Sequence, residues 1–271
     1  MRAWQSGTGL GGRLLGGAPG EPPRTLLLHG FTGSAPDWLG CAARLGPALA
    51  LDLPGHGSSA DPRGDWDTAI AGLLAALPPS IRRVVGYSLG GRIALGMLRA
   101  APRRFDALTI LSAHPGLVDP LARAERHAAD RRWIELLRRD GMASFVAAWE
   151  AQPLFATQAR LPARARARQR ARRLRQRAEG LAASLETFGL GQMPDTRAAL
   201  RDFDGAVQWI VGAEDRRFVE IARQVAQGRP GLEPRLLAGV GHNLPLEAPR
   251  ALAALIGRSA RQRPPAGAPG A

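Results

Sequence analysis

The run Arg83-Val84-Val85-Gly86-Tyr87-Ser88-Leu89-Gly90-Gly91-Arg92-Ile93-Ala94-Leu95 decides how the chain is read. An apolar stretch enters Gly-x-Ser-x-Gly and leaves as a helical pattern, which is the order strand, sharp turn, helix. Glycines at 86 and 90 allow a tight bend and close approach of the neighbouring elements, so the Ser88 hydroxyl is expected to project from a strained elbow at a helix N-terminus. Ser88 is therefore a candidate reactive centre. In a chain with 33 glycines the pentapeptide could arise by chance, so the flanking pattern has to carry the argument.

Upstream, Thr25-Leu26-Leu27-Leu28 reads as a buried strand that ends in the loop His29-Gly30-Phe31-Thr32-Gly33-Ser34. Ala48 to Leu53 reads as a second strand, closed by Pro54-Gly55-His56-Gly57-Ser58-Ser59. Residues 1 to 23, rich in Gly and Pro, predict at most a short edge strand. Downstream, a helix is expected to run from the elbow to about Ala101, followed by a strand over Ala107 to Leu111. After a long interval come a strand over Ala206 to Gly212, a helix over about 217 to 227, a strand over Pro234 to Leu237 and a helix from about Pro249 to Ile256. Strands alternating with helices predict an α/β fold with a mostly parallel sheet covered on both faces.

The interval 115–204 breaks that alternation. It holds helical patterns rich in Ala, Arg and Leu, and is expected to form a helical cap over a core made of 1–114 and 205–257. Ala167, Ala171, Leu174, Ala178, Leu181 and Leu185 recur at spacings of three and four and predict one helix with a buried apolar stripe. Nine arginines from Arg160 to Arg177 flank the stripe and read as a solvated face. Residues 258–271, with Pro and Gly and little apolar content, are expected to be a disordered tail.

Ser88, Asp215 and His242 each follow a predicted strand, so their loops emerge together at the carboxyl edge of the sheet. That chain order suits a relay in which His242 takes the serine proton while a carboxylate holds its other ring nitrogen. Glu214 competes with Asp215 for the acid role, and only one of two adjacent residues can face the histidine. Negative charge developing on a substrate oxygen needs donors, and the backbone N–H groups of Phe31 and Leu89 stand where they could supply them. His29 and His56, each beside glycines in tight turns, read as loop supports.

All 37 basic residues are arginine, and the formal net charge is +14. Without a nucleic-acid module, and with abundant Ala, Gly, Pro and Leu, this balance reads as coding bias rather than a nucleic-acid surface. Cys41 is the only cysteine, which excludes an intrachain disulfide and a cysteine-based metal cluster. With no signal-peptide layout and no apolar run of spanning length, the chain is expected to be soluble and cytoplasmic. Nothing in the sequence specifies an oligomeric state.

The quoted strings resemble the α/β-hydrolase superfamily over about 24 to 257. More narrowly, His29-Gly30-Phe31-Thr32-Gly33, Asp52-Leu53-Pro54-Gly55-His56-Gly57 and Gly86-Tyr87-Ser88-Leu89-Gly90-Gly91-Arg92 are similar to the 2-succinyl-6-hydroxy-2,4-cyclohexadiene-1-carboxylate synthase family of menaquinone biosynthesis. So are the cap strings His114-Pro115-Gly116-Leu117, Ala124-Glu125-Arg126, Asp130-Arg131-Arg132-Trp133, and Trp149 with Gln152-Pro153-Leu154-Phe155. The resemblance implies a triad that removes a carbon-bound proton and expels pyruvate from a small tricarboxylate, with no cofactor or metal. It also implies that Tyr87, Arg92, Arg126, Trp149 and one cap-helix arginine bind that substrate. Arg173 fits the last position best, with Arg175 as its rival. Taken alone, Arg92 or Arg126 reads equally well as a surface arginine, and an esterase or carbon–carbon bond hydrolase of the same fold is the competing reading.

Overall fold

The fold is described from a computed structural model, over residues 2–42 and 45–259. The tail expected over 258–271 lies outside the described residues from 260 onward, and residues 258 and 259 are the last of the final helix.

Eight strands form one sheet: β1 Arg2–Gln5, β2 Gly11–Leu15, β3 Thr25–Leu28, β4 Ala48–Leu51, β5 Arg83–Tyr87, β6 Ala107–Leu111, β7 Ala206–Gly212 and β8 Arg235–Leu237. Their order across the sheet is β1-β2-β4-β3-β5-β6-β7-β8, parallel from β4 to β8 and antiparallel where β2 meets β1 and β4. The strands from β3 to β7 are buried on both faces, which is why they read as continuous apolar runs. Because side chains alternate, Leu26 and Leu28 join one core with Ile93 and Trp209, while Leu27 joins the other with Trp38 and Leu252. Helices α2 Trp66–Ala76, α3 Leu89–Ala100 and α8 Arg216–Gln227 cover the first face; α1 Leu39–Ala42, α9 Leu244–Glu247 and α10 Pro249–Ser259 serve the second.

The N-terminal segment corrects the expectation of a single short edge strand. β1 and β2 form an antiparallel pair, and β2 lies between β1 and β4, with Gly12 paired to Leu51.

Between β6 and β7 every regular element is helical: α4 Pro120–Glu150, a 3-10 segment Pro153–Arg160, α5 Ala163–Leu174, α6 Ala178–Phe188 and α7 Arg197–Arg201. α4 is two helices joined at Gly141, whose φ of 71° suits glycine. Ile134, Leu137, Phe145, Val146, Leu181, Ala182 and Leu185 make a separate apolar cluster there. Phe188, Leu190, Met193 and Leu200 already pack into the core beneath the sheet. The stripe from Ala167 to Leu185 is a second correction. It does not lie on one helix, because residues 175–177 separate α5 from α6. On α5 it faces water: Ala167, Ala171 and Leu174 are exposed, and the buried side chain is Arg173.

Candidate active site

β5 delivers Ser88 to the start of α3 with φ 52° and ψ −108°, a backbone state that costs a non-glycine residue on the order of 1–3 kcal/mol. The tightness of the elbow explains its glycines. A Cβ at Gly86 would come within 2.4 Å of the Gly90 carbonyl oxygen, and one at Gly90 within 2.3 Å of that of Leu28.

The loops after β7 and β8 complete the relay. His242 Nε2 lies 3.0 Å from Ser88 Oγ, and His242 Nδ1 lies 2.6 Å from Asp215 Oδ2. His242 and Asp215 are both buried, so their contact is shielded from water. With Nδ1–H donating to the carboxylate, Nε2 presents its lone pair to the serine hydroxyl. Glu214 faces outward and pairs with Arg160, so Asp215 is the carboxylate that meets the histidine.

Among the described residues, the N–H groups of Phe31 and Leu89 donate to no protein acceptor. Leu89 opens α3 and Phe31 lies in the loop after β3, so both amides remain available beside Ser88. His29 Nε2 accepts the Leu53 N–H at 3.0 Å, and His56 Nε2 accepts the Thr32 N–H at 3.2 Å. Burial holds both imidazoles below the usual histidine pKa, which keeps them neutral and able to accept. They brace the loop that carries Phe31.

A cleft of about 250 Å³ opens at Ser88, between the sheet edge and the helices inserted between β6 and β7. Tyr87, Arg92, Arg126, Trp149 and Arg173 all line it. Arg92, on the buried first turns of α3, donates Nη1 to the Phe188 carbonyl at 2.5 Å. Burial first, and then the charge of Arg126, pull its pKa down to about 9. Arg126 is set by Asp130 one turn later, with Nη2–Oδ1 at 2.7 Å and Nε–Oδ1 at 3.0 Å. Arg173 reaches Thr32 Oγ1 through Nε at 3.2 Å and Glu150 Oε1 through Nη1 at 2.9 Å, and its guanidinium lies 5.3 Å from the Phe155 ring centre. Arg175 is exposed and does not line the cleft, so of the two rivals Arg173 is the one that enters it. Trp149 stacks on Phe145 with ring centres 5.6 Å apart and meets Phe31 edge-on, which gives the cleft an aromatic wall.

A family model described as "Alpha/beta hydrolase family" matches residues 25–255. The 2-succinyl-6-hydroxy-2,4-cyclohexadiene-1-carboxylate synthase of Enterobacter sp. (strain 638) is 35% identical over 94% of this chain and 97% of its own length. The chain belongs to this synthase family of α/β hydrolases. A protein of Bacillus subtilis (strain 168) described as a "Putative" synthase of the same name is 32% identical, over 88% of this chain and 90% of its own. Among solved structures, MenH from S. aureus superposes with a TM-score of 0.84 at 27% identity, covering 90% of this chain and 96% of that one.

The cleft of this family member also contains residues that sequence reasoning passed over. Arg172 Nε lies 3.0 Å from Asp37 Oδ1, angled as an ion pair rather than a hydrogen bond, and Gln169, His114 and Arg217 line the cleft as well. Arg217 and His114 could have been noticed, because each follows a strand at the carboxyl edge. Arg172 carried no such signal within its run of arginines. Among the described residues, no cluster of three or more His, Cys, Asp or Glu side chains could hold a metal, and no helix is long and apolar enough to cross a membrane.

Proposed function

We propose that the protein eliminates pyruvate from 2-succinyl-5-enolpyruvyl-6-hydroxy-3-cyclohexene-1-carboxylate to give 2-succinyl-6-hydroxy-2,4-cyclohexadiene-1-carboxylate, a step of menaquinone biosynthesis. Membership of the synthase family supports the reading, and one observation carries it for this chain. Arg92 is buried at the foot of the cleft with a carbonyl oxygen but no carboxylate bonded to it. A buried guanidinium without a bonded acidic partner is costly unless an anion arrives, and a tricarboxylate supplies one in the planar geometry that arginine grips.

In this mechanism His242, oriented by Asp215, takes the Ser88 hydroxyl proton, and the serine oxygen removes a proton from the carbon beside the succinyl ketone. The Phe31 and Leu89 N–H groups receive the enolate oxygen. As the ring double bond forms, the carbon–oxygen bond to the enolpyruvyl group breaks, and its electron pair leaves with the oxygen. The departing enolate takes the proton held on His242 and ends as pyruvate, so no water is consumed. Tyr87, Arg92, Arg126, Trp149 and Arg173 bind the substrate, and the helices inserted between residues 115 and 204 act as the cap that carries Arg126, Trp149 and Arg173. With a single buried cysteine and no membrane-crossing helix among the described residues, we place the enzyme in the cytoplasm.

The test is pyruvate release, followed through lactate dehydrogenase, with solvent-oxygen incorporation measured in parallel. Wild-type protein is expected to release pyruvate without taking up solvent oxygen, and Ser88→Ala and His242→Ala are expected to lose roughly 10³-fold or more in kcat. A protein that ignored this compound but hydrolysed aryl esters through an acyl-Ser88 adduct would be a hydrolase of the same fold.

A further inference from the structure

The cations of the cleft fall into two groups. Arg173 belongs to α5, pairs with Glu150 and acts electrostatically on Tyr87. A second group surrounds His114, at the end of β6. Burial and the charges of Arg197, Arg217, Arg92 and Arg126 hold that imidazole neutral, with its pKa drawn down to about 4. β6 pairs with β7, and Arg217 sits in the first turn of α8 just beyond β7, so His114 and Arg217 meet on neighbouring loops of the carboxyl edge.

Two features distinguish this second group. First, most arginines at or near the cleft are already neutralised: Arg126 by Asp130, Arg172 by Asp37, Arg173 by Glu150 and Arg197 by Asp195. Arg217 lines the same cleft, and among the described residues it has no carboxylate and no hydrogen-bond acceptor. Its neighbour Arg216 is also exposed but does not line the cleft. Second, His114 Nδ1 accepts the Gly116 N–H at 3.0 Å, so the proton of the neutral ring is on Nε2. No described residue accepts that Nε2–H. An unpaired guanidinium, a free N–H donor and the nearby charges of Arg92, Arg126 and Arg197 therefore converge where, among the described residues, the paired carboxylates are Asp130 on Arg126 and Asp195 on Arg197.

We propose that Arg217 and His114 form a carboxylate subsite at the β6–β7 end of the cleft, distinct from the grip at Arg173 and strengthened by Arg92 and Arg126. The proposal deepens the synthase reading and rests on it: one carboxylate of the tricarboxylate substrate docks here, while another meets Arg173. The guanidinium of Arg217 supplies charge and two-pronged geometry, and the His114 Nε2–H supplies a neutral donor that fixes the carboxylate's direction. Both act on binding and not on the proton removed at Ser88, so their loss appears in KM rather than in kcat.

The experiment compares wild type with Arg217→Gln, His114→Gln and, as a charge-matched control one residue away, Arg216→Gln. Steady-state pyruvate release is expected to show KM raised about 10- to 50-fold for Arg217→Gln and about 5-fold for His114→Gln, with kcat within about 3-fold and Arg216→Gln unchanged. An independent readout uses protein labelled with ¹⁵N in histidine, with succinate as the probe at pH 7. Succinate should shift the His114 Nε2 resonance, identified by its loss in His114→Gln, in wild type and Arg216→Gln but not in Arg217→Gln. Equal KM values for Arg217→Gln and Arg216→Gln, or a His114 resonance indifferent to succinate, overturn the subsite. A wild-type protein that releases no pyruvate overturns the synthase reading instead, and the succinate titration still judges the subsite.

Discussion

Replacing Arg92 with methionine should make the protein more stable and much less active. Arg92 is only 9% exposed, and its pKa is drawn from the ordinary arginine range to about 9, chiefly by burial. At about 1.4 kcal/mol per pH unit, that drop represents roughly 5 kcal/mol by which the site disfavours the charged form. Methionine removes that cost and fills a similar volume with a flexible apolar chain. It also removes the donor to the Phe188 carbonyl oxygen, and an acceptor left unpaired costs about 1–3 kcal/mol. The balance is a gain of about 2–4 kcal/mol, in line with buried charges elsewhere that apolar residues replace without loss. Urea unfolding should show a higher midpoint at an unchanged m value. kcat/KM for pyruvate release should fall at least thirty- to a hundredfold, the loss of one charge-assisted contact worth about 2–3 kcal/mol. If Arg92→Met instead unfolded at a lower urea concentration by about 1 kcal/mol or more, Arg92 would be a strut holding α3 to Phe188, and the case for an anion in the cleft would lose its main support.

Three further outcomes follow from the same geometry. Asp215→Asn should lower kcat by about 10³- to 10⁴-fold because His242 loses its orienting acceptor, whereas Glu214→Gln, which breaks only an exposed pair with Arg160, should change kcat and stability little. The sign of the pH dependence at His114 follows from its lowered pKa: between about 6.5 and 4 the unfolded chain binds a proton that the folded one refuses, so stability is lost as pH falls through that window. His114→Gln should therefore remove about 2 kcal/mol of acid destabilisation, discounted for the water that reaches the ring, and equal Tm differences at pH 7 and pH 4.5 would refute this. Gly180→Val should destabilise by about 2–3 kcal/mol, seen as a Tm lowered by roughly 5–10 °C, because a Cβ there would stand 2.4 Å from the Gly55 carbonyl oxygen.

The parts of the fold that were legible in the sequence are those whose burial is local and two-sided. β3, β6 and β7 run over the residues their apolar stretches mark, since a parallel strand under helices on both faces admits little else. β1 and β2 were not legible, because pairing rather than apolar content holds them. β2 begins with two glycines, and the Gly11 N–H is tied to Ser59 Oγ at 2.9 Å. The end of α5 was lost for a related reason. The Gln176 side chain binds the Gly33 carbonyl and accepts the Gly57 N–H, so long-range hydrogen bonds place a break where periodicity predicts a continuous helix. Once that break exists, the inward face of α5 is set by Arg173 contacting Thr32 and Glu150, and not by the alanines. The triad was legible because its members need only follow strands. The choice between Arg173 and Arg175 depends on where α5 ends, at Leu174, to which a run of arginines gives no clue.

What separates a pyruvate-expelling enzyme from an esterase on this scaffold is not the triad. Ser88 Oγ at 3.0 Å from His242 Nε2 is equally placed to surrender its proton in either chemistry, and two free amides stabilise a tetrahedral oxyanion as readily as an enolate. The difference lies in where the reacting carbon is held. An ester carbonyl must come within bonding distance of the serine oxygen, whereas proton removal needs the substrate one hydrogen further away and fixed against rotation. Cations at separate points of the cleft, Arg173 beside Thr32 and Arg92 beneath Phe188, can fix a rigid polyanion in that way. A neutral ester would occupy the aromatic wall of Trp149 and Phe31 but leave Arg92 buried and uncompensated, at a cost the free enzyme already bears. Under the proposed function, binding energy from carboxylates remote from the reacting carbon would hold the proton at the serine oxygen, and charge in the cleft, rather than the nucleophile elbow, would then determine the reaction.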